Sequence, residues 1–153
     1  MDSKEIAKEL FDLVQLDIDA TYAYSTAISN VDVPMVRETL IRFRDDHERH
    51  VKQLSVLIRN FGGTPPSMSP DFKGFILQGM TAVRSATGTE GALKAMKMNE
   101  ELTNKTYARA LSLGLPFDVQ EQVQRNHVDE QRHLQTIERW IQTEIWEGSG
   151  AHP

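Results

Sequence analysis

Apolar residues recur at three- and four-residue spacing along most of the chain, and no segment shows a strong period-two alternation. That spacing is the mark of amphipathic helices. A first helix is predicted from Ser3 to about Asn30, with Ile6, Leu10, Leu13, Val14 and Ile28 on one stripe and Ser3 as its N-cap. A second runs from Val33 or Pro34 to about Phe61, with Pro34 in the first turn and Gly62 or Gly63 at the C-cap. A third spans about Thr89 to Leu113, and a fourth about Pro116 to Trp146. The links at 31–34 and 114–116 are short, which implies antiparallel neighbours. Between the second and third helices lies "GGTPPSMSPDFKGFILQGMTAVRSAT", long enough to run the length of a bundle, with a short helix expected over Asp71–Ala86. The pattern predicts an all-α four-helix bundle: two antiparallel hairpins joined by a long crossover. Residues 1–147 form one domain in this reading, and 148–153 a flexible tail.

Each stripe is broken at its midpoint by an ionisable residue. The second helix reads Leu40, Phe43, His47, His50, Leu54, Leu57, Phe61, and the fourth reads Val123, Asn126, Glu130, His133, Ile137, Trp140. The first reads Leu10, Leu13, Asp17, Thr21, Tyr24, Ile28, and the third Met96, Glu100, Thr103, Tyr107, Leu111. An unpaired buried charge costs several kcal/mol even after relaxation. Four such residues at one level need mutual compensation, which a metal ion supplies, because carboxylates and imidazoles are its natural ligands. Glu130 and His133 form Glu-x-x-His, and residues three apart share a helix face. Bundles that hold two metals use one Glu from each of two helices and Glu-x-x-His from each of the others.

An internal repeat sharpens this reading. A shift of 83 residues carries His50 onto His133, Asp46 onto Asp129, Arg49 onto Arg132, Tyr24 onto Tyr107 and Asp17 onto Glu100. The same shift puts His47 where the other half has Glu130.

Composition narrows the partners. The 153 residues carry a formal net charge of -5, an acidic balance that argues against nucleic acid or an anionic membrane surface. There is no cysteine, hence no disulfide, thiolate ligand or cysteine nucleophile. Apolar runs fall far short of a membrane span, and "MDSKEIAKEL" lacks an apolar signal core, so a cytoplasmic location is expected. "FGGTPP" lacks the Lys-Ser/Thr ending and preceding strand of a phosphate loop. A homodimer or higher homo-oligomer is the expected assembly, as for many such bundles.

The stretches "LDIDATYAY", "FRDDHERHVKQL", "DFKGF", "GMTAVRSATGTEGALKAMKMNEELTNKTY" and "DEQRHL" resemble the ferritin-like superfamily, and within it a small bacterial family of unknown function. The resemblance implies a ferritin-like bundle with a di-metal centre. Carried over by position, Asp17 and Glu100 would be terminal carboxylates, His50 and His133 imidazole ligands, and Glu130 a bridging carboxylate. Asp46 and Asp129 would each orient the opposite helix's histidine. Two departures stand out. Position 47 would be a second bridging Glu and is His, and position 17 would be Glu and is Asp. Three carboxylates and three histidines replace four and two.

Each residue also has a plainer reading. His50 and His133 could be core histidines bonded to neighbouring acids, with Asp17 and Glu100 as their metal-free partners, and His47 could simply bond Glu130. Tyr24 and Tyr107 are expected as core rings with hydroxyls on site carboxylates. Asp45, Glu48, Arg49 and Arg132 read as a solvated charge face, His127 as a surface or end residue, and Asp19 as off the seam. Trp140 and the methionines Met80, Met96 and Met98 read as packing. Two functions follow. One is a redox protein whose centre binds iron, as one or two ions, with manganese or zinc as alternatives, and meets dioxygen or peroxide. The other is a non-catalytic ferritin-like stress or interaction module with a degenerate site and no metal.

Overall fold

The computed structural model describes residues 1–71 and 75–150, with side chains described for 1–71 and 80–147. Its elements are α1 (Ser3–Ile28), α2 (Pro34–Asn60), α3 (Phe75–Ser85), α4 (Gly88–Leu111), α5 (Phe117–Gln142) and α6 (Ile145–Gly150). α1 packs on α2 and α4 on α5, while α1–α4 and α2–α5 contacts join the two hairpins. α3 lies against α1 and α4 as part of the crossover.

Local chemistry sets most helix ends. Pro34 opens α2 and needs no N–H partner there. Gly62, with φ +79°, closes α2 in the left-handed region, and Gly114, with φ +74°, follows α4. The N-cap of α1 is Asp2 rather than Ser3: its carboxylate accepts the Glu5 N–H at 2.8 Å. The fourth long helix stops at Gln142, short of the expected Trp146, and Glu144 turns the chain with φ +49° before α6. The crossover helix is described over Phe75–Ser85, within the expected span; 72–74 lie outside the described residues. Of the expected tail, 148–150 continue α6 and 151–153 lie outside the described residues.

The apolar core is split into two clusters. One gathers Tyr24, Ala27, Leu40, Phe43, Met96, Ile137 and Trp140. The other gathers Leu10, Leu13, Val14, Leu54, Ile58, Val119 and Val123. Each buried Leu or Ile contributes about 1.5–3 kcal/mol, so these layers carry the fold. Between them lies a slab of buried ionisable side chains. Thr89 ties the α1–α2 turn to the start of α4, donating to the Asp32 carboxylate at 2.6 Å and accepting the Asp32 N–H at 3.0 Å. Gly63 allows the end of α2 to approach α1: a Cβ there would meet Ala7 Cβ and Ile58 Cγ2 at 2.9 Å. Among the described residues no helix is long and apolar enough to cross a membrane.

Candidate metal centre

The four long helices bring Asp17, His47, His50, Glu100, Glu130 and His133 to one level, each with no solvent exposure. The seam explains why. Each residue sits on the apolar stripe of its own helix, so burying the stripe buries the polar residue with it. Glu101, the neighbour that could have competed with Glu100 for the inward direction, is exposed.

The outer contacts of the two histidines are reciprocal. His50 Nε2 donates to Asp129 Oδ2 at 2.8 Å, and His133 Nε2 donates to Asp46 Oδ2 at 2.8 Å. Each aspartate belongs to the opposite hairpin. These bonds fix the ring orientation, leaving both Nδ1 atoms facing inward. His50 Nδ1 lies 3.2 Å from Asp17 Oδ1 and 3.2 Å from Glu130 Oε1. His133 Nδ1 lies 3.3 Å from Glu100 Oε1 and 3.5 Å from Glu130 Oε2. The two tyrosines cross as well: Tyr24 donates to Glu100, and Tyr107 to Asp17 Oδ2 at 2.5 Å. Thr103 Oγ1 donates to Glu100 Oε2 at 2.9 Å.

His47 occupies the middle. Its Nδ1 is 2.7 Å from Asp17 Oδ1 and its Nε2 is 3.1 Å from Glu100 Oε1, so one ring spans the two hairpins' acids. Glu130 is different. Its oxygens come within 3.2–3.5 Å of nitrogens on His47, His50 and His133. Yet neither oxygen has a hydrogen bond of acceptable geometry, although both are fully buried. They meet the three rings at ion-pair distance.

The electrostatics follow from these contacts. Burial pushes the Asp17 carboxyl up, but the charge of His50 and hydrogen bonds from His47 and His50 outweigh it and hold it at about 2. Burial likewise opposes ionised Glu100, and the charge and hydrogen bond of His133, with the bond from His47, bring it well below the usual range. Glu130 moves up, because burial and the nearby Glu100 charge exceed the pull of its imidazoles. Burial disfavours charged His50 and His133, but Asp17 with Asp129 lifts the first to about 11, and Glu100 with Asp46 lifts the second to about 10. His47 also rises well above 6.5 against its burial, through Glu130, Asp17 and Glu100.

Two overlapping groups could each hold an ion: Asp17, His47, His50 and Glu130, and His47, Glu100, Glu130 and His133. In each, the ligand atoms lie within 4.8 Å of one another.

Several plainer readings need correction. His127 is 9% exposed rather than a surface residue, with its ring stacked on Tyr107 at 6.4 Å, and burial lowers its pKa. Asp19 is 1% exposed: its Oδ1 accepts from Gln15 at 3.1 Å and from the Asp71 N–H at 2.8 Å, so it anchors the crossover to the outer side of α1. Arg49 and Arg132 are about half exposed, yet they are not free in solvent. Arg49 bonds Asp46 at 2.9 Å and also Asp129; Arg132 reaches Asp46 at 2.9 Å and Asp129 at 3.1 Å. Met98 is exposed and Met80 and Met96 are buried. Asn104 was not singled out by pattern; its Nδ2 donates to the carbonyls of Glu100 at 2.8 Å and Glu130 at 2.9 Å, tying α4 to α5.

The architecture is that of a ferritin-like helical bundle. The chain is similar to a protein from Bacillus anthracis str. Ames described as ferritin-like, diiron-carboxylate, with 19% identity, 92% of this chain and 98% of that chain covered, and a TM-score of 0.71. Residues 5–113 match the family described as a domain of unknown function, DUF2383, and the chain belongs to that family. The matched span includes Asp17, His47, His50 and Glu100, and ends before Glu130 and His133. No curated protein matches.

Proposed function

We propose that this protein binds transition-metal ions at the centre of the bundle, with Asp17, His50, Glu100, Glu130 and His133 as ligands and His47 between them. The observation that carries the reading is Glu130. A fully buried carboxylate with two oxygens lacking hydrogen bonds is costly. Its Oε1 faces His50, while its Oε2 faces His47 and His133. An ion on each side would satisfy both oxygens, which is what a bridging carboxylate does. The donor set of carboxylate oxygens and imidazole nitrogens suits iron, manganese or zinc.

Iron is the preferred cofactor, since a paired carboxylate–imidazole centre in a dry bundle suits redox exchange with dioxygen or peroxide, to which iron would supply electrons. The chain's own residues do the rest. Asp46 and Asp129 hold the Nδ1 atoms inward, Tyr24 and Tyr107 fix the terminal carboxylates, and the apolar layers exclude bulk water. The ferritin-like diiron-carboxylate neighbour supports the reading through its fold.

A second reading rests on His47. As an imidazolium it donates to both Asp17 and Glu100, and together with charged His50 and His133 it can balance the three carboxylates without a metal. The protein would then be a non-catalytic module that acts through partners, with a homodimer as its simplest assembly.

Anaerobic titration with ferrous iron, followed by air, separates the two. The metal reading expects stoichiometric uptake by elemental analysis and an absorption change on oxidation. Iron, manganese and zinc contents all at background would overturn it.

A further inference from the structure

The two histidine ligands are covered differently. On the His133 side, Phe43 stacks on the imidazole with ring centroids 4.2 Å apart. Trp140 lies beyond Phe43 at 6.4 Å, and the Arg132 guanidinium sits over the Phe43 ring at 5.8 Å. The 83-residue shift that carries His133 back onto His50 carries Phe43 onto Asn126. On the His50 side there is thus a side-chain amide where the other side has an aromatic plug. A cleft of about 360 Å³ opens there between α2 and α5, lined by Arg49, Gln53, Gln122, Arg125, Asn126 and Asp129.

The floor of the cleft is one residue from the centre. Asp129 bonds His50 Nε2. Asn126 Nδ2 lies 3.5 Å from the Tyr107 hydroxyl, which in turn bonds Asp17. Gln122 donates to Asn126 Oδ1 at 2.9 Å and to Gln53 Oε1 at 3.0 Å, and Asn126 itself is 1% exposed. The lining carries side-chain amides that both donate and accept, set in a mostly apolar surface, and two guanidiniums that are already paired, Arg49 with Asp46 and Asp129 and Arg125 with Glu121.

Building on the metal-centre reading, we infer that this cleft is the port by which a small hydrogen-bonding ligand of the peroxide or azide kind reaches the His50 side of the centre. Asn126 is its positioning residue. It stands where Phe43 stands on the His133 side, with a small amide in place of the ring. Amide donors and acceptors stand in for the water such a ligand sheds.

Azide binding to the cobalt(II)-loaded full chain tests this, followed by stopped-flow absorption after cobalt content is fixed by elemental analysis. Asn126→Phe copies the Phe43 plug. Val128→Trp narrows the mouth from an exposed position, 51% accessible, and so tests the port if Asn126→Phe does not fold. Asp45→Trp is the control, at the position equivalent to Val128 on the other side. Both plugging variants should slow azide association by about tenfold or more, within the range by which on-rates vary. Dissociation should slow equally, leaving Kd unchanged, because a port residue does not touch the bound ligand. Asp45→Trp should stay within about twofold of the parent. Unaltered rates in Val128→Trp with full cobalt content would overturn the port alone, as would an equal slowing in Asp45→Trp. Failure of the parent chain to take up cobalt, with iron, manganese and zinc also at background, would overturn the metal reading and the port with it.

Discussion

The α1–α2 hairpin and the α4–α5 hairpin present the same outer contacts to the centre and different inner ones. Each supplies a histidine braced by the other's aspartate, and each supplies an acid capped by the other's tyrosine. The inner positions diverge: His47 against Glu130, Asp17 against Glu100, Phe43 against Asn126. The scaffold of orientation is kept while charge and access change. In metal-free protein His47 bridges the halves, with its ring bonded to the terminal acid of each. Glu130 leaves the α4–α5 half with an unsatisfied acceptor. At the inner position one half offers a fully bonded imidazole and the other a carboxylate without hydrogen bonds.

The largest expected effect comes from removing an acid that serves several donors. Glu100→Ala leaves Tyr24, His47 and His133 without their shared acceptor at a site with no exposure. Breaking a buried pair from one side costs about 3–5 kcal/mol, so urea denaturation should show a loss of that order. Asp17→Ala should cost a similar amount if the halves are equivalent in metal-free protein; a clearly smaller loss would show that the α4–α5 half carries the slab.

Metal loading comes next. A ligand at 100–1,000 times its Kd stabilises by about 2.7–4.1 kcal/mol. For a chain of this size that corresponds to a Tm rise on the order of 5–15 °C. The double variant His50→Ala/His133→Ala should abolish the rise in differential scanning calorimetry.

His47→Glu restores the repeat's own pattern and tests the divergence directly. A fourth buried carboxylate without its imidazole should lower the metal-free Tm by several degrees, while two divalent ions are better neutralised. Isothermal titration should show a second equivalent bound about tenfold or more tightly, roughly 1.4 kcal/mol. Looser binding would mean that His47 is itself a ligand.

The pH dependence follows with its sign. His50 and His133 are raised to about 11 and about 10, so their contribution is full below the unfolded value of 6.5 and declines as pH climbs through those values. Asp17 is depressed to about 2, so its contribution is full above 3.8 and is lost as pH falls towards 2. Metal-free protein should therefore have its highest Tm between about pH 4 and 6.5. Metal must displace the imidazole protons, so the Tm rise on loading should grow with pH. The smallest effect belongs to the exposed arginines. Arg49→Ala or Arg132→Ala should change stability by about 0–1 kcal/mol, since both are about half exposed.

The helices and the slab were legible because both depend on short-range periodicity. A residue on the stripe at the midpoint of a long helix has nowhere to go but inward. Four features were not legible. Asp19 is off the seam and still buried, because α1 buries a second face, and the Gln15–Asp19–Asp71 contact closes over more than fifty residues of chain. His127 neighbours the stripe of α5, and only the position of Tyr107 across the hairpin decides that it is stacked. Asp2 and Ser3 are both competent caps, and their backbone conformation chooses between them. The roles of Arg49 and Arg132 were hidden for a similar reason: exposure and attachment are separate properties, and sequence reports mainly the first.

The crossed braces carry one more consequence. Neither hairpin owns a finished histidine, because the atom that sets each ring's orientation sits on the other side of the α2–α5 seam. A fluctuation that parts this seam, even one that leaves every helix wound, undoes both imidazoles at once. The integrity of the centre and the docking of the two halves are therefore one quantity, and exchange of a bound ion becomes a clock for how often the bundle breathes.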